Sequence, residues 1–121
     1  MEGMNEIMNP AAVRHDPDFP HAPADWVRED AERVAAEEGL ELGEEHWELV
    51  RALQEYYDRH DDPGAVALRE LHDALDERFH ARGGIKYLYE LMPGGPVAQG
   101  ARLAGVKAPP EAASAAFGSV S

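Results

Sequence analysis

Cysteine is absent from the 121 residues. Disulfides, thiolate metal sites, iron–sulfur clusters and cysteine nucleophiles are therefore excluded together. Lysine is nearly absent too: eleven basic residues include only Lys86 and Lys107, the other nine being arginine. Long apolar runs are missing, so no segment suits a membrane span. Residues 1–10 have neither a basic start nor an apolar stretch, unlike a signal peptide, and a cytoplasmic location is expected. Positive charge is short overall. Twenty-four acidic residues leave a formal charge of −13, which disfavours nucleic acid and anionic membranes as partners.

What remains is 44% hydrophobic residues, enough for one small core. The acidity is uneven. Residues 1–24 hold one basic and four acidic residues, residues 25–82 seven and eighteen, and residues 83–121 three and two. The last third is thus a different, near-neutral surface.

Pro10, Pro17, Pro20 and Pro23 forbid a long opening helix, so residues 1–24 are expected to be irregular or a β-hairpin. Asp25 offers an N-cap to a first helix with Val27, Ala31, Val34 and Ala35 on one face, ended by Gly39. From Glu44 to about Arg59, Trp47, Val50, Leu53 and Tyr57 form an apolar stripe widened by Leu49 and Tyr56. Asp61-Asp62-Pro63-Gly64 breaks that helix. Leu68, Leu71, Leu75 and Phe79 mark a third, ending before Gly83-Gly84. A short fourth runs from Ile85 to Leu91. Pro96 is suited to open a fifth, which Gly105 ends. The expectation is a mainly α fold: a small orthogonal bundle of about five short helices over residues 1–106, with an N-terminal β-hairpin and a flexible C-terminal arm over residues 107–121.

Few residues suggest chemistry. His72, Asp76 and His80 share a helix face, and Glu77 precedes His80 by three. That is half of a carboxylate-bridged di-iron motif without its second copy. A metal enzyme built on this face is a third hypothesis, tested by metal content. His15-Asp16, His60-Asp61 and His72-Asp73 resemble the His-Asp step of metal phosphohydrolases, but neighbours on a helix point about 100° apart and cannot chelate alone. Glu37-Glu38 and Asp61-Asp62 lack a calcium-loop ladder. Ser114, Ser119 and Ser121 have no base beside them. Tyr56-Tyr57 and Tyr87/Tyr89 read as core or rim. Gly94-Gly95 between prolines lacks phosphate-loop spacing and reads as a sharp corner between helices. No catalytic residue, metal or cofactor is expected.

One run is more specific. Lys86-Tyr87-Leu88-Tyr89-Glu90-Leu91-Met92-Pro93-Gly94-Gly95-Pro96 resembles the signature of the DsrC/TusE family, the gamma-subunit-like proteins of dissimilatory sulfite reductase and their sulfur-relay relatives. The family usually has Phe where Met92 stands. Glu44 to Tyr57 and Ala22-Pro23-Ala24-Asp25-Trp26 are similar to further family blocks, so the likeness extends over about residues 16–110. It implies a mostly helical fold with an N-terminal hairpin and a mobile arm. It also implies persulfide carriage on a cysteine near the arm's tip, joined in the sulfite-reductase type by a second cysteine in the helix after Gly-Gly-Pro. The relay type serves tRNA thiolation.

Here the pattern fails at its chemical centre. Ungapped from Gly94, the helix cysteine falls on Ala101 and the tip cysteine on Ala112. With a longer arm, Ser119 of Gly118-Ser119-Val120 replaces the tip instead. None is a thiol, and persulfide transfer needs one that ionises near neutral pH, with a pKa of ~8.5 or lower. The resemblance implies a non-catalytic protein of sulfur metabolism that docks on, or regulates, the sulfur-relay or sulfite-reductase machinery, as cysteine-free members are held to do. The expected docking residues are Lys86, Tyr87, Gly94, Gly95, Arg102 and Lys107, facing a protein of sulfur oxidation, sulfite reduction or tRNA thiolation. Two alternatives stand beside this. One is a helix-turn-helix-like DNA-binding regulator, its basic patch limited to Arg82, Lys86, Arg102 and Lys107. The other is a relay subunit acting only through a partner's cysteine.

Overall fold

A computed structural model describes residues 16–60, 65–110 and 112. Five α-helices are formed there: α1 (Arg28–Glu38), α2 (Glu44–Asp58), α3 (Leu68–Arg78), α4 (Gly84–Leu91) and α5 (Ala98–Ala104), with a 3₁₀ turn, His80–Arg82, between α3 and α4. α5 packs against α1 and α2, while α4 packs against α3. The core runs through both groups and includes Phe19, Trp26, Leu49, Leu53, Leu71, Leu88, Met92 and Leu103.

The expected β-hairpin is not found. No strand occurs among the described residues, and Asp16–Trp26 is instead a string of turns, with Phe19 N–H on the Asp16 carbonyl (3.0 Å), Ala22 on Phe19 (3.1 Å) and Trp26 on Pro23 (3.1 Å). The cause is Phe19. Its ring is wholly buried, edge-on to Trp26 and Trp47 at 4.9 and 5.6 Å, with the Arg28 and Arg51 guanidinium groups 5.1 and 4.7 Å from it. Those contacts hold the segment more firmly than a two-stranded ribbon would hold itself. Residues 1–15 of the expected hairpin segment lie outside the described residues.

Local details also shift. α1 is capped from Val27, whose N–H meets Asp30 Oδ2 at 3.0 Å, rather than from Asp25. α5 starts at Ala98, with Pro96 and Val97 still in the turn before it. Of the expected arm, Pro109 and Ala112 are buried and Ala112 joins the core; residues 113–121 lie outside the described residues.

Candidate functional site

The Pro93–Pro96 corner is where the sequence block, the helix junction and several polar contacts meet. Gly94 N–H donates to Gln99 Oε1 at 3.0 Å, and Gln99 Nε2 donates to Glu38 Oε1 at 2.8 Å. Arg102 closes the chain, with Nε 2.6 Å from Glu38 Oε2 and Nη2 3.0 Å from Oε1. Glu38 thus collects three donors at the C-terminal end of α1, where the helix dipole alone would disfavour a carboxylate. Hydrogen bonding from Arg102 is the largest influence on it; with Gln99 it outweighs partial burial and holds the carboxyl below its ordinary range.

The glycines follow from this geometry. A Cβ on Gly94 would lie 3.1 Å from the Gln99 side chain, and Gly95 sits at φ +100°, a conformation L side chains avoid. On the other flank, His46 joins α2 to the end of α4. Gly43 N–H donates to its Nδ1 at 3.0 Å, so the proton is on Nε2, which donates to the Leu91 carbonyl at 3.1 Å. Neither His46 nor Gln99 was singled out by the sequence. His46 lies inside the Glu44–Tyr57 block and Gln99 just after Pro96, so both positions carried a signal.

The expected docking residues divide. Lys86 and Lys107 are exposed and make no ion pair among the described residues. Arg102 is exposed, but its guanidinium is spent on Glu38. Tyr87 is half-buried, its ring 6.4 Å from that of Phe79. Gly94 is exposed and Gly95 half-buried. Lys86 and Tyr87 belong to the α3–α4 pair and Arg102 to the α1–α2–α5 group, so the corner is the bridge between them.

The positions expected to hold thiols in relatives lie inward. Ala101, in the middle of α5, is 1% exposed, and Ala112 is 5% exposed. The neighbouring Gly100 lies so close to Leu53 that an added Cβ would collide with it. Ser119 is outside the described residues.

The histidine face is put to structural use. Asp76 Oδ1 accepts the Ile85 N–H at 2.7 Å, capping the start of α4, and the His72 ring stands edge-on to Tyr89 at 6.2 Å. His60 Nδ1–H donates to the Tyr56 carbonyl at 2.7 Å. Among the described residues no three His, Asp or Glu side chains are grouped to hold a metal ion, and no helix is long and apolar enough to cross a membrane. A feature the sequence hid is a hollow of ≈480 Å³ lined by Arg51, Arg78 and Arg82. Its arginines sit in the most acidic segment, where a net charge conceals them.

Comparison with known proteins gives a consistent picture. The family model described as DsrC like protein matches residues 9–112. The sulfurtransferase TusE of Salmonella typhimurium is 39% identical over 85 residues, 69% of this chain and 76% of that protein. The protein of the same name from Yersinia pestis is 35% identical over 86 residues, covering 70% and 77%, and that from Photorhabdus laumondii 33% over 87, covering 71% and 77%. No solved structure matches.

Proposed function

The chain belongs to the DsrC-like family, and from that premise we propose that it is a non-catalytic member which docks on, or regulates, a protein of sulfur relay or sulfite reduction without carrying sulfur itself. One observation carries this reading: the family's scaffold and its Lys86–Pro96 block stand in a chain with no thiol. A hydroxyl such as that of Ser119 is too weak an acid to hold a transferable sulfane sulfur, and alanine offers no atom for it. The partner is a protein. With a formal charge of −13, duplex DNA would have to be bound against net repulsion. The docking face is the exposed part of the last third, Lys86, the Gly94-Gly95 corner and Lys107, with Arg102 and Tyr87 holding that surface in shape rather than offering charge.

The test has two readouts. Incubated with a persulfide donor, the intact chain is expected to gain no sulfur-atom mass, and affinity capture is expected to recover an identified, cysteine-bearing protein of sulfur relay, sulfur oxidation or sulfite reduction. An adduct of one sulfur atom passed on to an acceptor overturns the non-catalytic reading. Capture of no such protein overturns the docking reading.

A further inference from the structure

Three of the seven arginines of residues 25–82 line one hollow. Arg51 comes from α2, Arg78 from the end of α3 and Arg82 from the 3₁₀ turn; Glu48, Phe79 and Ala81 complete the ≈480 Å³ lining. Among the described residues Glu48 is the one acid in the lining. Arg82 meets Glu48 with both terminal nitrogens, Nη1 with Oε1 and Nη2 with Oε2 at 3.1 Å, so the hollow already shows how it grips a carboxylate at two points. Arg78 Nη1 donates to Glu55 Oε1 at 3.1 Å. Arg51 Nε donates to the Asp18 carbonyl at 3.0 Å, and its Nη1 reaches Glu44 Oε2 only at 3.4 Å. A guanidinium carries five N–H donors. The Nη2 groups of Arg51 and Arg78 donate to no described residue.

We propose that this hollow binds a small dianionic oxyanion of the phosphate or sulfate class, gripped by the Nη2 groups of Arg51 and Arg78 beside the Arg82–Glu48 pair. Planar guanidinium forks match the oxygen spacing of such ions, which a lysine ammonium does not. Each arginine has a carboxylate neighbour, Glu44 for Arg51, Glu55 for Arg78 and Glu48 for Arg82. Hydrogen bonding from Arg82 above all, with the charges of Arg82, Arg51 and Arg78, outweighs desolvation and holds the Glu48 carboxyl below its ordinary range. Apolar lining is limited to Phe79 and Ala81, so the charged group and not an organic body is what the hollow recognises. The ion is either free or the terminal group of a larger ester. Binding is salt-sensitive, because the arginines are partly exposed and the rest of the molecule repels anions. None of this rests on the proposed role in sulfur metabolism.

The full chain is titrated with inorganic sulfate, inorganic phosphate and glycerol 3-phosphate at constant ionic strength, while amide NMR shifts are followed. Saturable shifts around residues 48–51 and 78–82 are expected. Affinity should fall roughly fivefold or more in Arg51→Gln and in Arg78→Gln, fall in Arg51→Lys because the fork is lost, and rise in Glu48→Gln because a competing carboxylate is gone. Tighter binding of the ester than of inorganic phosphate identifies an ester group as the source; equal or weaker binding identifies the free ion. Linear shifts reproduced by chloride, or equal affinities in the wild type, Arg51→Gln and Glu48→Gln, overturn the site. Melting curves establish that each variant folds, and Arg51→Gln alone suffices should Arg78→Gln not fold.

Discussion

The resemblance aligns the helix cysteine of the sulfite-reductase type with Ala101, and the fold closes that position off. The methyl group is 1% exposed within α5, so a thiol placed there would face the core. Ala101→Cys is therefore expected to fold with a penalty of about 1 kcal/mol from overpacking. Its thiol should react with an aromatic disulfide reagent roughly 100-fold more slowly in the native state than in denaturant, reporting local opening. Ala112→Cys should behave alike. Equal rates in both states would place position 101 at the surface. Absence of cysteine was plain in the sequence; that Ala101 and Ala112 are buried was not, because alanine is common both inside and outside proteins. Gly94 and Gly95 were legible as a corner from their flanking prolines, whereas the acceptor of the Gly94 N–H, Gln99, depends on a fold-back that spacing alone does not specify.

The helices themselves were largely written in the apolar periodicity. Trp47, Val50, Leu53 and Tyr57 placed α2 within a residue of its observed end at Asp58. Periodicity does not distinguish a final α turn from a 3₁₀ turn, so His80–Arg82 was absorbed into α3, and prolines that exclude a helix permit turns as readily as a hairpin. α5 depends most on its surroundings. Seven residues are too few to hold a helix alone, and its terminal carbonyls are taken by distant side chains: Trp26 Nε1–H donates to Leu103 at 2.7 Å and Gln54 Nε2–H to Ala104 at 2.9 Å. Gly105, at φ +77°, passes under the Trp26 ring, where a Cβ would lie 2.7 Å from Cδ1. Trp26→Phe leaves the Leu103 carbonyl buried without its donor and is expected to cost about 1–3 kcal/mol in urea unfolding. A loss below a few tenths of that range would mean the indole contributes shape alone.

Across the whole molecule, charge sums misled where charge pairs inform. Segment totals made the middle acidic and the end near-neutral. In space, Glu38 of α1 pairs with Arg102 of α5, Glu48 of α2 with Arg82 of the 3₁₀ turn, and Glu55 of α2 with Arg78 of α3. All three carboxyls are held below the ordinary value of 4.5, chiefly by those arginine hydrogen bonds. A lowered folded-state pKa means stability fully present above the ordinary value and lost as pH falls through the lower folded values. The melting temperature is therefore expected to drop on acidification below about pH 4.5, and less steeply in Arg102→Gln than in the wild type, a difference thermal scans at several pH values would read. Equal slopes would show that the Glu38–Arg102 pair adds nothing to acid sensitivity. The bond from Trp26 to Leu103 joins residues 77 positions apart in the chain, early turns to last helix. Because that indole is 4% exposed and one of only two in the sequence, its emission serves as a label-free optical gauge of whether α5 is seated, built into the polypeptide by the same contact that seats it.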